Sequence, residues 1–166
     1  MSTPAPDKET ATILNGRVAF VEALGVVAGD ATLELALLSY DLDARVFGDE
    51  SFVEKVQALA LRHHRARIRV LVNATERTMH RAHRLVELGR RLTSRIEFRQ
   101  LPDDEKAVIE EYLVADEKGV LQRDANDRLE ARHYAYAPLE ARRRLKAFNA
   151  LWDVSVPARE LGELRL

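Results

Sequence analysis

Cysteine is absent from this 166-residue sequence, and no stretch approaches the roughly 20 apolar residues that a membrane-spanning helix needs. The lack of cysteine excludes disulfides, zinc sites built on thiolates and cysteine nucleophiles. The lack of a long apolar run predicts no membrane insertion. Residues 1–12 contain proline and charge but no apolar signal-peptide core, so we expect a cytoplasmic protein with a disordered N-terminal lead-in over this segment.

The remaining composition is that of a globular protein. Hydrophobic residues make up 46% of the chain and charged residues 32%. A chain of this length is large enough to bury a full hydrophobic core in one unit. The sequence therefore predicts a single domain over residues 13–166.

Charge is segregated along the chain, although the net charge is only −1. Residues 62–99, called here the Arg-rich segment, hold eleven Arg and three Glu, whereas residues 103–117 hold seven acidic residues and one Lys. Such segregation either forms a bipolar surface or reflects solvated helix faces. The Arg-rich segment is therefore a candidate surface for nucleic acid or another anionic ligand.

Two short apolar runs predict neighbouring parallel strands. Residues 33–39 form the first run, and residues 67–73 form the second after a gap of helix length. Ligands of open α/β sheets bind at the carboxyl ends of the strands. We therefore predict a ligand site built from the polar residues that end or follow these runs, which are Ser39, Asp41, Asp43 and Asn73. For Ser39, Asp41 and Asp43 the alternative is that they cap the loop and the following helix.

Helical periodicity and turn residues predict the other elements. Helices are expected over residues 13–28, after a cap at Asp49 or Ser51, over residues 76–92 after a cap at Thr75, and from Pro138 onward. Residues 94–101 and 128–136 are expected to be strands. Residues 111–123 are expected to form a hairpin whose turn places Gly119 in the left-handed region.

This order of elements resembles one half of a phospholipase D-like domain. The stretch LLSYDLDARVFGDESFVEKVQALALRHHRARIRVLVN is similar to the opening of such domains. A bacterial family of phospholipase D-like domains of unknown function has stretches similar to HRAHRLVELGRRL, EEYLVADEKGVLQR and EARRRLKAFNALWDVS. The resemblance covers roughly residues 15–160. It implies an α/β fold with a mixed sheet flanked by helices, and a homodimer, because the family pairs two halves around one site.

Active members of that superfamily carry the motif His-x-Lys-x4-Asp. Its His takes up the phosphoryl group, and its Lys holds phosphate oxygens. With Asp116 as the motif's Asp, Ile109 stands at the His position and Glu111 at the Lys position. Isoleucine cannot attack phosphorus, and a carboxylate repels phosphate. The resemblance therefore implies a catalytically degenerate copy.

His83 and Asp116 remain the catalytic candidates. His83 could serve as a base or nucleophile, and with Arg84 and Arg91 it could bind an anion. For Arg84 and Arg91 the alternative is a polar helix face paired with Glu87. For His83 it is a partly buried, hydrogen-bonded side chain, and for Asp116 it is an ordinary turn. No histidine pattern includes a carboxylate at metal-ligand spacing, so we predict no metal and no cofactor.

Three functions remain open. The first is a non-catalytic phospholipase D-like domain that acts in binding or assembly. The second is a phosphodiesterase or nuclease with an unorthodox site around His83. The third is an accessory partner of another enzyme, such as an acetyltransferase, since members of the similar family sometimes adjoin one. The loss of the motif's His and Lys favours the first.

Overall fold

The computed structural model describes residues 9–73, 83–102, 110–158 and 161. These residues form the mixed α/β architecture that the sequence predicts. Numbered in chain order, the described strands and helices are β1 Thr12–Asn15, α1 Arg17–Asp30, β2 Glu34–Ser39, α2 Ala44–Phe47, α3 Glu50–Arg62, β3 Arg67–Val72, α4 Arg84–Arg91, β4 Ile96–Gln100, β5 Glu110–Ala115, β6 Gly119–Asp124, β7 Glu130–Tyr134, α5 Pro138–Val154 and β8 Val156–Pro157.

All the described strands belong to one mixed sheet with the order β1-β7-β6-β5-β2-β3-β4-β8. Strands β2, β3 and β4 are parallel, as the two apolar runs predict. Strand β5 is antiparallel to β2 and continues through β6 and β7 as an antiparallel meander. The beginning of β5 therefore lies beside the carboxyl end of β2, which brings a third strand to the predicted ligand edge.

Helices cover both faces of the sheet. Helices α1 to α4 bury one face in a core that includes Phe20, Phe47 and Phe52. Helix α5 covers the other face, where Phe148 and Trp152 stack with their ring centroids 5.7 Å apart. Burial on both faces explains why β2 and the second half of β3 are almost continuously apolar.

The N-terminal segment differs from the prediction of a helix over residues 13–28. Residues 12–15 form β1, which pairs with β7 at the edge of the sheet, and α1 begins only at Arg17. Gly16 separates the two elements with a φ of 88°, a conformation that glycine adopts without strain. Strand β1 exists because β7 offers it a partner, and β7 is more than a hundred residues away in the sequence. Of the predicted lead-in, residues 1–8 lie outside the described residues, whereas Glu9 accepts hydrogen bonds from the Leu139 and Glu140 amides at the start of α5.

The helix predicted over residues 76–92 is wrong at His83. The backbone of His83 is extended, with φ −130° and ψ 110°, and α4 begins only at Arg84. Residues 74–82, with the predicted cap Thr75, lie outside the described residues. A hydrogen bond from the His83 ring to the Leu42 carbonyl, 41 positions away in the sequence, holds His83 in this position.

The short connections confirm some predictions and correct others. The Asp49 carboxylate accepts a hydrogen bond from the Phe52 amide, which confirms the predicted cap, and Pro138 opens α5 as expected. In the β5–β6 hairpin, however, Asp116 adopts the left-handed conformation with φ 54°, and Gly119 does not. Aspartate tolerates this region better than most residues do, because its short side chain can bond nearby backbone groups.

Candidate functional site

The loop that follows β2 is held by its own polar side chains. Ser39 is fully buried, and its hydroxyl oxygen accepts a hydrogen bond from the Leu42 amide at 2.9 Å. The Asp43 carboxylate accepts one from the Arg45 amide at 3.0 Å and so caps α2. Burial acts to raise the pKa of Asp43, but hydrogen bonds from the Arg45 side chain and backbone outweigh burial and lower it. Both predicted ligand residues therefore shape the loop.

Beside this loop lies a group of four charged side chains, called here the Glu111 cluster: Asp41, Glu111, Arg123 and Arg128. Arg123 donates from Nε to Glu111 Oε2 at 3.1 Å. Arg128 donates from Nη2 to Glu111 Oε1 at 3.0 Å and to Asp41 Oδ1 at 3.1 Å. Two carboxylates and two guanidinium groups thus balance each other at this edge of the sheet.

Burial makes the Glu111 cluster unusual. The exposed fraction of the Glu111 residue is 0%, and that of Arg123 is 2%. The two face each other because β5 and β6 pair in a register that sets Glu111 opposite Arg123. The Arg123 guanidinium also lies 4.0 Å from the centroid of the Phe20 ring, so its remaining surface packs against an aromatic face.

The charges of the Glu111 cluster depend on one another. Burial lowers the pKa of Arg123, and the Glu111 carboxylate opposes this change. Burial acts in the same direction on Arg128, but Glu111 and Asp41 outweigh it and raise the pKa of Arg128. Removing one member would therefore leave a buried charge without its partner, which is costly.

The Glu111 cluster occupies the region in which the phospholipase D-like motif would place its Lys. Glu111 is engaged by two arginines and also accepts a hydrogen bond from the Tyr40 amide at 3.3 Å. Arg123 and Arg128 are in turn engaged by carboxylates. Ile109, at the motif's His position, lies outside the described residues. Among the described residues at this position, no positively charged side chain is left unpaired for a phosphate to bind.

His83 lies against the same loop but deep inside the protein. It is 3% exposed, and its Nε2 lies 2.8 Å from the Leu42 carbonyl, to which the neutral ring donates. Its Nδ1 has no hydrogen-bond partner among the described residues. Burial lowers the pKa of His83, so the neutral ring predominates at pH 7. A nucleophile must reach its substrate, and this ring is covered on nearly all sides.

Asn73 is also buried, at 4% exposed, and its backbone N–H donates to the Ser39 carbonyl oxygen at 3.1 Å. Its side-chain Oδ1 has no partner among the residues that the structure describes. Asn73 therefore ends β3 beside Ser39, as predicted, but beneath the surface.

Two further candidates lie at opposite ends of α4. Arg84 begins the helix, 3.9 Å from the Glu50 carboxylate, and Arg91 ends it. At about 1.5 Å of rise per residue, the two backbones are about 10 Å apart along the axis. Arg91 therefore does not join His83 and Arg84 in the predicted anion site.

Asp116 lies at the opposite end of the strands from the Glu111 cluster, where β2 begins. Its carboxylate accepts hydrogen bonds from the amides of Thr32, Leu33 and Glu34, each at 2.9 Å, just before and at the start of β2. The Thr32 hydroxyl donates to it at 3.2 Å. The length of β2 separates Asp116 from Ser39. The structure thus does not bring the two catalytic candidates, His83 and Asp116, together.

Sequence reasoning missed the Arg123 and Arg128 side chains. The available signal was a charged residue beside the apolar part of each of two strands, since Glu111 precedes Tyr-Leu-Val-Ala and Arg123 follows Val-Leu-Gln. Within the described ranges, no group of three His, Asp or Glu side chains is placed to hold a metal ion. No helix in the part of the chain that the structure describes has the length and apolar character of a membrane span.

Comparison with protein families gives one match, which covers most of the chain. The model of a family described as a domain of unknown function, DUF7931, matches residues 17–164. No curated protein sequence matches this chain.

Solved structures share the fold at low sequence identity. Nuc, a phospholipase D family member from Salmonella typhimurium, is 11% identical with a TM-score of 0.64, and the match covers 89% of this chain and 97% of that one. NucT from Helicobacter pylori is 7% identical with a TM-score of 0.58, with 89% and 98% covered. TrmBL2, an archaeal chromatin protein whose structure is described as showing a novel mode of DNA binding, is 13% identical with a TM-score of 0.64; the match covers 91% of this chain but 56% of that one. The fold is therefore phospholipase D-like.

Proposed function

Because this chain belongs to the DUF7931 family of domains of unknown function and has a phospholipase D-like fold, we propose that it is a non-catalytic binding or assembly module. The Glu111 cluster is the observation that carries this proposal. Where a phosphodiesterase needs a free cation for phosphate, this chain has a buried carboxylate held by two arginines. A phosphate placed there would have to compete with Glu111 and Asp41 for the same guanidinium groups.

The second candidate function, phosphodiester hydrolysis at His83, finds less support. The ring is 3% exposed, and one of its nitrogens already bonds the Leu42 carbonyl. It does line an open cavity of about 550 Å³, together with Arg45 and Arg84, but three carboxylates also line that cavity: Asp49, Glu50 and Glu87. An anionic substrate gains little from such a balance of charges.

Hydrolysis assays test the proposal directly. We expect the protein to release no nitrophenol from bis(p-nitrophenyl) phosphate and to leave single-stranded DNA intact, with His83→Ala and the unaltered protein giving the same background. The variant controls for a contaminating nuclease, which would be unaffected by the change. Turnover that the unaltered protein shows and that a folded His83→Ala variant loses would contradict the proposal and establish the hydrolase.

We also propose that the partner of this module is a second copy of the same chain. The phospholipase D-like resemblance, in which two halves share one site, supports a homodimer. We expect light scattering to give twice the 18.8 kDa of one chain, with a mass that changes little between low and moderate salt. A monomer at all concentrations would remove the dimer and favour a different protein partner, such as the acetyltransferase suggested by the resemblance. Nucleic acid, which TrmBL2 is described as binding, is the other candidate.

A further inference from the structure

A second charged surface lies at the amino ends of the parallel strands, opposite the Glu111 cluster. Its five arginines come from the ends of α3 and α4 and from the connections that follow them. We call this set the amino-edge basic surface: Arg62, Arg65, Arg67, Arg91 and Arg95. It is the part of the predicted Arg-rich segment that the fold gathers at one edge.

The two connections lie side by side. Strands β3 and β4 are parallel neighbours, and the Ile68 amide donates to the Arg95 carbonyl at 2.8 Å. An open groove of about 270 Å³ runs between the connections, lined by Arg65, Arg67 and Arg95. Arg62 and Arg91 are the last residues of the two helices that lead into them. Three of the five side chains therefore line one groove, and the other two belong to the last residues of the helices that lead into it.

Most of this charge is unpaired. Arg62, Arg65, Arg67 and Arg91 are exposed, and none of them forms an ion pair with any residue that the structure describes. The side chain of the remaining member, Arg95, donates to the neighbouring Ser94 hydroxyl at 3.4 Å and forms no ion pair with the described residues. The surface thus offers guanidinium groups that are free to bind another molecule.

Nearby negative charge does not cancel the surface. The Glu97 carboxylate is paired with Arg99 at 2.6 Å. Glu34 lies opposite Arg67 in the β2–β3 register. The Asp116 carboxylate lies at the same ends of the strands, where it accepts hydrogen bonds from amides just before and at the start of β2. These two carboxylates, together with the carboxyl ends of α3 and α4 at about half a negative charge each, leave the five arginines with a net charge of about +2. The two carboxylates and the negative helix ends therefore offset only part of the positive charge of the five arginines.

We propose that the amino-edge basic surface binds the phosphodiester backbone of a nucleic acid. The guanidinium fork matches phosphate oxygens, and exposed hydroxyls at Thr93 and Ser94 add further donors. The exposed rings of His63 and His64 stack with centroids 4.9 Å apart and planes 14° apart, which provides a flat aromatic surface on which a base can stack. The inference goes beyond the proposed module function, because it assigns a partner to a different edge of the sheet.

Two charge-matched variants of the full chain test the surface. The first is Arg65→Gln/Arg67→Gln/Arg91→Gln, which removes three exposed members, from the α3–β3 connection, the start of β3 and the end of α4. The control is Arg17→Gln/Arg132→Gln/Arg142→Gln, which removes the same three positive charges from exposed positions elsewhere. Fluorescence anisotropy then measures binding of a labelled single strand of about 16 nucleotides, and of the matching duplex, between about 50 and 200 mM salt.

We expect the unaltered protein to bind with strong salt dependence. The first variant should bind at least about tenfold more weakly at low salt, with the salt slope for single strands reduced by about 2, and the control should change less than about twofold. Preference for single strand or duplex identifies the form of nucleic acid, and either supports the proposal. Equal loss in both variants, or no binding of either oligonucleotide at low salt, would overturn it. So would binding to phosphatidylserine vesicles without binding to the oligonucleotides. None of these results bears on hydrolysis, so the proposed module function and this surface fail independently.

Discussion

Replacing Glu111 by Gln is expected to lower the free energy of unfolding by about 3–5 kcal/mol, the range typical of breaking a buried ion pair. Glu111 is fully buried and balances Arg123, which is itself 2% exposed. The amide keeps the size of the side chain and some capacity to accept hydrogen bonds, but it removes the negative charge. Arg123 would then remain buried beside Arg128 with no carboxylate between them. Chemical denaturation, followed by circular dichroism, measures the loss.

A double variant separates the cost of an unpaired charge from the value of the pair. We expect Glu111→Leu combined with Arg123→Met to be within about 2 kcal/mol of the unaltered protein, because neither buried charge remains while Arg128 keeps Asp41. The matched control is Glu117→Gln, at an exposed ion pair 3.8 Å from Arg142, which should change stability by less than about 1 kcal/mol. If Glu111→Gln costs no more than this control, the Glu111 cluster is not a buried ion network.

The central strands could be predicted because their signal is local. Residues 33–39 and 67–73 are mostly apolar because helices cover both faces of β2 and β3. Burial on both faces can therefore be recognised from the residues of each run alone. The polar residues after these runs were correctly placed at the carboxyl edge. For Ser39 and Asp43 the structure confirms the alternative that they cap the loop and the following helix, because their oxygens accept hydrogen bonds from the backbone amides of Leu42 and Arg45.

The Glu111 cluster and the position of His83 depend on contacts that no local pattern contains. Arg128 and Asp41 are 87 positions apart, and the His83 ring reaches a carbonyl 41 positions away. A helical period through residue 83 predicts a continuous helix, whereas the bond to Leu42 holds the backbone extended there. Likewise β1 forms only because the edge of β7 is free to pair with it. Tertiary contacts override local propensity in all three places.

Asp116 has a structural role in this chain. It matches the Asp of the phospholipase D-like motif by resemblance, and it lies at the end of the strands opposite the Glu111 cluster. Three backbone amides and one hydroxyl donate to its carboxylate, and these donors lie just before and at the start of the central strand β2. Its φ of 54° also suits the tight turn into β6. The Asp116 carboxylate therefore fixes the β5–β6 hairpin to the start of β2.

Asp116→Ala is therefore expected to lower the free energy of unfolding by about 2–4 kcal/mol, since charge-assisted hydrogen bonds to several donors are lost together and a left-handed alanine is strained. Asp116→Asn should lose less, because asparagine tolerates the backbone conformation and keeps one acceptor oxygen, although its amide hydrogens face amide donors. The control is Asp124→Ala, which removes a carboxylate that accepts from a single amide, that of Asn126. Chemical denaturation should show the largest loss in free energy of unfolding for Asp116→Ala, a smaller loss for Asp116→Asn and the smallest for Asp124→Ala. Because Asp116 lies at the end of β2 opposite the Glu111 cluster, neither change at 116 should alter the background level of hydrolysis. A folded Asp116→Asn variant whose level of hydrolysis differed from that of the unaltered protein would show that the carboxylate acts on a substrate.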